Sequence, residues 1–192
     1  MEKILTPEMS PEQLREASSF AVAFANRAVR EEAAHSEEFR NMGTTLVSAV
    51  SFDGGVVISN VGDSRAYHIT NHEIIRVTRD HSLVESMVER GDITAEEARR
   101  HPNRNLITRA IGPDALIECD GYICPMKPGE YLLLCTDGLV DTVTDQEMLY
   151  EVIHGSKMDD CLKRLLKISK GRGAKDNVTA VLMRKAEEKE AM

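Results

Sequence analysis

The sequence contains no tryptophan, and aromatic residues make up only 4% of its 192 positions. An aromatic core is thereby excluded, and the interior has to be built from Leu, Val, Ile, Ala and the nine Met. No stretch approaches the ~18 consecutive apolar residues of a membrane-spanning helix. Met1 to Thr6 lacks the apolar run that a signal peptide carries. Positive charge is also scarce: 24 Lys and Arg against 32 Asp and Glu give a formal net charge of −8. That balance speaks against nonspecific nucleic-acid binding, which needs clustered Lys and Arg to neutralise phosphates, and against docking on anionic lipid. The four cysteines, Cys119, Cys124, Cys135 and Cys161, form no CxxC pair, so neither a zinc ribbon nor a dithiol redox site is encoded. Reduced, buried thiols fit a cytoplasmic protein, and Cys135 lies in an apolar run that reads as core.

What is present is ordinary globular composition, 42% apolar and 29% charged, at a length that suits one domain. Ser10-Pro11-Glu12-Gln13 is a helix start: Ser10 caps, Pro11 suits the first helical position, and Gln13 can reach back to close a capping box. Leu14, Ala17, Ala21, Phe24, Ala25 and Ala28 then recur at helical spacing, which predicts a helix to about Glu38. Thr44 to Phe52 and Val56 to Val61 read as strands joined through Asp53-Gly54-Gly55. Arg65 to Thr70 and Glu73 to Val77 read as a second hairpin. Ser82 to Arg100 changes character to two short capped helices flanking Gly91, an amphipathic insertion on the sheet that His101-Pro102-Asn103 ends. Leu106 to Ile111, Leu116 to Ile123, Tyr131 to Cys135 and Asn177 to Met183 are predicted strands. Helices are predicted from Thr144 to about Ile153 and from Asp159 to Lys170, the latter stopped by Gly171-Arg172-Gly173. The residues from Ala186 form a charged tail expected to fray. Hairpin-connected strands with helices on their faces make an α+β domain with antiparallel sheets.

Three acidic segments stand at abrupt edges between strand and turn: Val61-Gly62-Asp63-Ser64-Arg65, Cys135-Thr136-Asp137-Gly138-Leu139 and Lys175-Asp176-Asn177-Val178-Thr179. Strand ends on a rigid sheet can bring carboxylates together, and like charges held close call for cations. Oxygen donors of this kind suit Mg²⁺ or Mn²⁺. Each segment also has a plain reading, because Asp-Gly after a strand is ordinary turn composition and Asp-Asn-Val-Thr can simply open a strand. His68 and His72 are spaced like metal ligands on a helix but fall in a hairpin, so they read as structural.

The ordered set Met42-Gly43-Thr44-Thr45, Val61-Gly62-Asp63-Ser64-Arg65-Ala66-Tyr67, Asp80-His81-Ser82, Thr108-Arg109-Ala110-Ile111-Gly112, Leu134-Cys135-Thr136-Asp137-Gly138-Leu139 and Asp176-Asn177-Val178-Thr179 closely resembles the type 2C, or PPM-type, metal-dependent protein serine/threonine phosphatases. The stretch from His81 to Gly112 resembles the mobile flap of bacterial members. The likeness spans about residues 20 to 184. It implies two packed antiparallel sheets flanked by helices, in a single domain over residues 1–185 with the flap at about 81–104 and the charged tail at 186–192. It implies a binuclear Mn²⁺ or Mg²⁺ centre with Asp137 and Asp176 as ligands, and Asp63 helping to hold a third, weaker ion. It implies hydrolysis of phosphoserine and phosphothreonine esters by metal-activated water, in proteins that Ser/Thr kinases phosphorylate. Gly138 lets the backbone pass close to the metals. Arg109 is a candidate to orient phosphate, with a structural salt bridge as the other reading. Arg65 ties the scaffold, and His81 either shapes the flap or sits in a solvated turn.

The chain also departs from the pattern of the resembling family. Members open with an Arg-containing segment whose Arg binds phosphate, then a strand ending in Asp-Gly-x-Gly-Gly whose Asp bridges both metals, and neither motif occurs here. Asp53-Gly54-Gly55 is no substitute, since it follows Met-Gly-Thr-Thr in a hairpin. An N-terminally truncated phosphatase sandwich is therefore expected. The alternative to an active phosphatase is an impaired fragment or pseudophosphatase that binds phosphoproteins or needs a complementing N-terminal segment.

Overall fold

The first helix, α1 (Pro11–Ala33), starts as its sequence dictates. Ser10 accepts the amide of Gln13 while the Gln13 side chain accepts the amide of Ser10, a complete capping box with Pro11 in the first turn. The computed structural model describes residue 6 and residues 8–155 and 157–186; most of the charged tail lies outside the described residues. The helix ends earlier than expected, and a 3₁₀ turn, Glu37–Phe39, follows it. The buried stripe also differs from the one expected. Leu14, Ala17, Ser18, Val22 and Asn26 face inward, while Phe20 and Phe24 are 74% and 65% exposed. Asn26 sets that rotation: its Oδ1 accepts the amide of Gly112 at 2.7 Å and its Nδ2 donates to the carbonyl of Asp114 at 3.0 Å. A buried amide satisfied on both sides fixes the helix more specifically than interchangeable aliphatic contacts do.

The described residues divide into two compact units. One holds the residues through Val50 together with Val57–Ser64 and Arg79–Ile123; the other holds Ser51–Val56, Arg65–Thr78 and the residues from Cys124 on. Two sheets carry the strands. The three-stranded sheet has the order β1-β2-β5, with β1 (Leu46–Phe52), β2 (Gly55–Val61) and β5 (Asp120–Pro125). Every residue of β2 is buried, which is what a central strand covered on both faces requires and why its sequence does not alternate.

In the first unit, Val22, Val61 and Ile111 form a small core joined by Val29, Leu46 and Ile117. The expected strand over residues 106–111 does not form. Ile107 pairs with Ser82 and Ile111 with Thr44, each as an isolated bridge. The segment thus meets two different partners one residue at a time. The expected strand from Leu116 begins only at Asp120, because Gly112-Pro113-Asp114 turns the chain first, and Leu116 is left 90% exposed. The amphipathic insertion is two short helices, α2 (Leu83–Glu89) and α3 (Ala95–Arg100), packed on each other and capped by Ser82 and Thr94 as the sequence predicts.

The second unit contains the four-stranded sheet, order β4-β3-β6-β7, with β3 (Arg65–Ile69), β4 (Ile74–Arg76), β6 (Tyr131–Cys135) and β7 (Ala180–Arg184). All three pairings are antiparallel. Tyr67 opposes Leu133, which opposes Leu182 in turn. These residues, with Ile69 and Cys135, meet Leu139, Val143, Met148, Val152, Cys161 and Leu165 in one core. The helices on that face are α4 (Asp137–Val140), α5 (Asp145–His154) and α6 (Met158–Gly171). Each fully buried aliphatic side chain there is worth about 1.5–3 kcal/mol. The short helix α4 is absent from the sequence reading, which took the Asp-Gly as turn alone.

Candidate metal centre

The register of the second unit's sheet explains where two of the predicted carboxylates go. Cys135, the last residue of β6, sits between Arg65, the first residue of β3, and Ala180, the first residue of β7. One end of the sheet therefore collects the segment leaving β6 and the segment arriving at β7. Asp137 lies two residues beyond one and Asp176 four residues before the other.

Thr136 stitches these segments. Its amide donates to the carbonyl of Thr179 at 3.1 Å, and its Oγ1 accepts the amide of Thr179 at 3.1 Å and donates to the carbonyl of Asn177 at 3.4 Å. This is why β7 starts at Ala180 and not at Asn177: a threonine side chain replaces the ladder. Gly138 supplies the clearance, since a Cβ there would lie 2.4 Å from the carbonyl oxygen of Asn177. Only glycine lets the two backbones approach so closely.

Each carboxylate is pinned in the same way. Asp137 Oδ1 accepts the amide of Gly138 at 2.8 Å, and Asp176 Oδ1 accepts the amide of Asn177 at 2.6 Å. Asp137 is half-buried and Asp176 exposed. Burial pushes the Asp137 carboxyl above its ordinary range, and the negative charges of Asp176 and Asp141 push it further. The Gly138 amide and Arg65 oppose this without cancelling it. Asp141, which sequence reasoning passed over, follows Asp137 by four residues, and the Asp-Gly-Leu-Val-Asp spacing of one helical turn was the available signal.

These residues fit a hard divalent cation. The donors are all oxygen, and the mutual repulsion that raises Asp137 is what a cation relieves. Among the described residues, no three His, Cys, Asp or Glu groups close around one point. Asp137 and Asp176 would supply two oxygen donors to such a cation, and Mg²⁺ and Mn²⁺ accept water as well as carboxylate oxygen.

The other predicted site residues belong to the first unit. Asp63 is half-buried in the turn after β2. That turn is held by His81, which is 5% exposed. Its Nδ1 accepts the amide of Gly62 at 3.0 Å, and its own amide donates to the carbonyl of Gly62 at 2.9 Å. Its Nε2 lies 3.1 Å from Asp120 Oδ2 and 3.1 Å from Arg109 Nη1. His81 is thus a satisfied interior histidine and not part of a solvated turn. Ser64 Oγ and Thr45 Oγ1, 3.0 Å apart, brace the same turn. Arg109 donates to Asp120 Oδ1 at 2.7 Å, to the carbonyl of Glu118 at 3.2 Å and to Glu118 Oε2 at 3.3 Å, the partners its salt-bridge reading asks for. Burial pushes the Asp120 carboxyl up, but His81 and Arg109 outweigh it and hold the group below its ordinary range. In the second unit, His68 Nε2 pairs with Glu130 at 2.8 Å.

Comparison with known proteins shows the family and the fold. Over residues 2–183 the chain matches the family described as Protein phosphatase 2C. It is 40% identical over 148 residues to the serine/threonine phosphatase stp of Listeria monocytogenes, an alignment that takes in 76% of this chain and 58% of that protein. The chain thus spans less than two thirds of the length of that relative. Its fold is similar to a crystal structure of a bacterial serine phosphatase, with a TM-score of 0.90 at 36% identity over 96% of this chain and 75% of that one. It is similar as well to the catalytic domain of the serine/threonine protein phosphatase PstP in complex with two manganese ions, with a TM-score of 0.83 at 28% identity over 94% of this chain and 75% of that one. Two antiparallel sheets flanked by helices are the frame these proteins share with it, and the chain belongs to the protein phosphatase 2C family.

Proposed function

We propose that the protein hydrolyses phosphoserine and phosphothreonine esters in other proteins, using water and a divalent metal centre to which Asp137 and Asp176 contribute. The observation that carries this reading is the convergence of those two carboxylates, by strand register, in a chain of this family. Asp137 and Asp176 would hold Mn²⁺ or Mg²⁺, two ions in the complete centre, and Asp63 would help to hold a third, weaker one. A bound divalent pair supplies Lewis acidity: it lowers the pKa of water and neutralises charge on the phosphoryl oxygens. Gly138 keeps the Asn177 backbone close, and Arg65, which donates to the Tyr67 hydroxyl at 3.2 Å, holds the sheet end in shape. Arg109 serves the scaffold, because Asp120 and Glu118 occupy its donors. We read residues 1–185 as one phosphatase domain and residues 81–104 as its flap. Substrates are phosphoproteins, the products of Ser/Thr kinases. A cytoplasmic location fits the free cysteines, and no described helix is long and apolar enough to cross a membrane.

The test is turnover of a phosphothreonine peptide with and without Mn²⁺, on the chain and on Asp137→Asn. Mn²⁺-dependent turnover that the substitution removes supports the reading. Mn²⁺ and phosphopeptide binding without turnover indicates the alternative, a phosphoprotein-binding relative. A folded chain that binds no Mn²⁺ overturns the assignment of the centre.

A further inference from the structure

Helix α6 ends in a way that ties the two carboxylate segments to one anchor. Its C-terminus is a Schellman motif: the amide of Ala174 donates to the carbonyl of Ser169 at 3.2 Å, and that of Gly173 to the carbonyl of Lys170 at 3.1 Å. Gly173 takes the positive φ of 73° that this motif needs. The chain leaves the motif at Ala174 and reaches Asp176 two residues later. The position of Asp176 is therefore set by the end of α6.

The same helix end grips the segment after Asp137. Ser169 is fully buried, and its Oγ lies 2.7 Å from Thr142 Oγ1. Thr142 Oγ1 in turn lies 3.1 Å from the carbonyl of Gly138 and 3.0 Å from that of Leu139. Ser169 Oγ itself lies 3.4 Å from the carbonyl of Gly138, so the two hydroxyls form a relay that shares its protons between each other and the α4 carbonyls. Arg172 adds a second grip: its Nη1 donates to the carbonyl of Thr142 at 2.7 Å and to Glu147 Oε2 at 2.8 Å. The relay ends on the carbonyl of the residue whose amide pins Asp137.

We propose that Ser169, Thr142 and Arg172 are positioning residues that fix Asp137 against Asp176, so that α6 sets the spacing of the metal carboxylates. The proposal rests on the metal reading above and goes beyond it, because none of the three is among the residues assigned to the centre. Their packing role alone would make them stabilising; the connection to both carboxylate segments is what makes them spacers. Partners outside the coordination shell commonly change metal affinity about 10- to 100-fold.

The test uses Ser169→Ala, Thr142→Val, the conservative Thr142→Ser, and Arg164→Ala as a control. Arg164 pairs with Glu151 between α5 and α6, so its loss weakens the same helix packing without touching the relay. Two readouts are taken on variants that circular dichroism shows to be folded. The first needs no metal: ¹H–¹⁵N spectra in EDTA, following the amides of Gly138 and Asn177 that report the two carboxylates. The second is Mn²⁺ affinity by electron paramagnetic resonance of the free ion. We expect Ser169→Ala and Thr142→Val to move both amide resonances and to weaken Mn²⁺ binding by about 10-fold or more. Combining the two should add little, since one relay is broken once. Thr142→Ser should retain wild-type behaviour, and Arg164→Ala should lower the melting temperature while leaving both readouts in place. Unmoved Gly138 and Asn177 amides in folded Ser169→Ala and Thr142→Val overturn the proposal. Absence of Mn²⁺ binding by the wild-type chain overturns the metal reading instead, and the amide spectra still decide whether the brace exists.

Discussion

Asp120 opens β5 in one unit and Asp137 follows β6 in the other, and both carboxyls are half-buried. Their surroundings treat them in opposite ways. Asp120 faces His81 Nε2 and Arg109, and its carboxyl is held below the ordinary range despite burial. Asp137 faces Asp176 and Asp141, and its carboxyl is driven above that range by burial and like charge together. A charge removed from water needs a partner. Where the chain supplies the partner, the group is scaffold. Where the chain supplies more of the same charge, the proposed reading gives the group a cation from outside as its partner.

The largest effect that bears on this contrast is on catalysis. Asp137→Asn and Asp176→Asn should each lower Mn²⁺-dependent turnover by at least ~100-fold, the scale seen when a group that stabilises the transition state is removed. Without metal, Asp137→Asn should raise the melting temperature, because it removes a repelled charge. A fall in EDTA would show that Asp137 is a structural acid and erase its difference from Asp120. Next comes Gly138→Ala, whose new Cβ meets the Asn177 carbonyl oxygen. Forcing these backbones apart should cost about 1–3 kcal/mol of stability in urea unfolding and weaken Mn²⁺ binding as well. Asp120→Asn should also cost about 1–3 kcal/mol, the worth of hydrogen bonds to a charged group, and it should do so with or without Mn²⁺.

Acid titration separates the two aspartates by sign. The Asp120 carboxyl is depressed from its ordinary value of 3.8, so its stabilisation is present above pH 3.8 and is lost as pH falls through the folded value. The Asp137 carboxyl is raised from the same 3.8, so its contribution is present below pH 3.8 and is lost as pH rises through the folded value. Melting curves in EDTA should therefore show Asp120→Asn losing the slope below pH 3.8 and Asp137→Asn losing an opposite slope above it. Parallel curves for the two variants would sink the comparison. The smallest effect is expected at Arg27→Ala. Arg27 and Glu31 are paired at 2.7 Å on the open face of α1 with side chains 77% and 61% exposed, and water screens such a pair, so the melting temperature should hardly move.

Much of this was readable before the fold. The capping box at Ser10, the hairpin at Asp53-Gly54, the capped pair of helices around Gly91 and the apolar β6 are local events, governed by residues within a few positions of one another. Reading failed where a distant partner decides. Residues 106–111 have strand composition, yet Ser82 and Thr44 each take one residue and no ladder forms. The inward face of α1 was misjudged because Asn26, reaching Gly112 and Asp114, sets the rotation and not the alanines. The acidic segments at Asp63, Asp137 and Asp176 could be named from strand-edge position and family pattern. Their electrostatic character could not, since Asp120 before Gly121 looks no different on the page from Asp137 before Gly138.

The sequence by itself determined the aliphatic core, the start of most helices, the family pattern and the acidic strand ends, because each of these depends on composition or on neighbours along the chain. Tertiary structure alone decided that β6 ends beside the start of β7, that Asp137 feels the charge of Asp176 while Asp120 meets His81 and Arg109, and that the end of α6 holds Thr142. The physical reason is that register and through-space charge join residues tens of positions apart, and Coulomb and hydrogen-bond energies depend on distance in space and not along the chain.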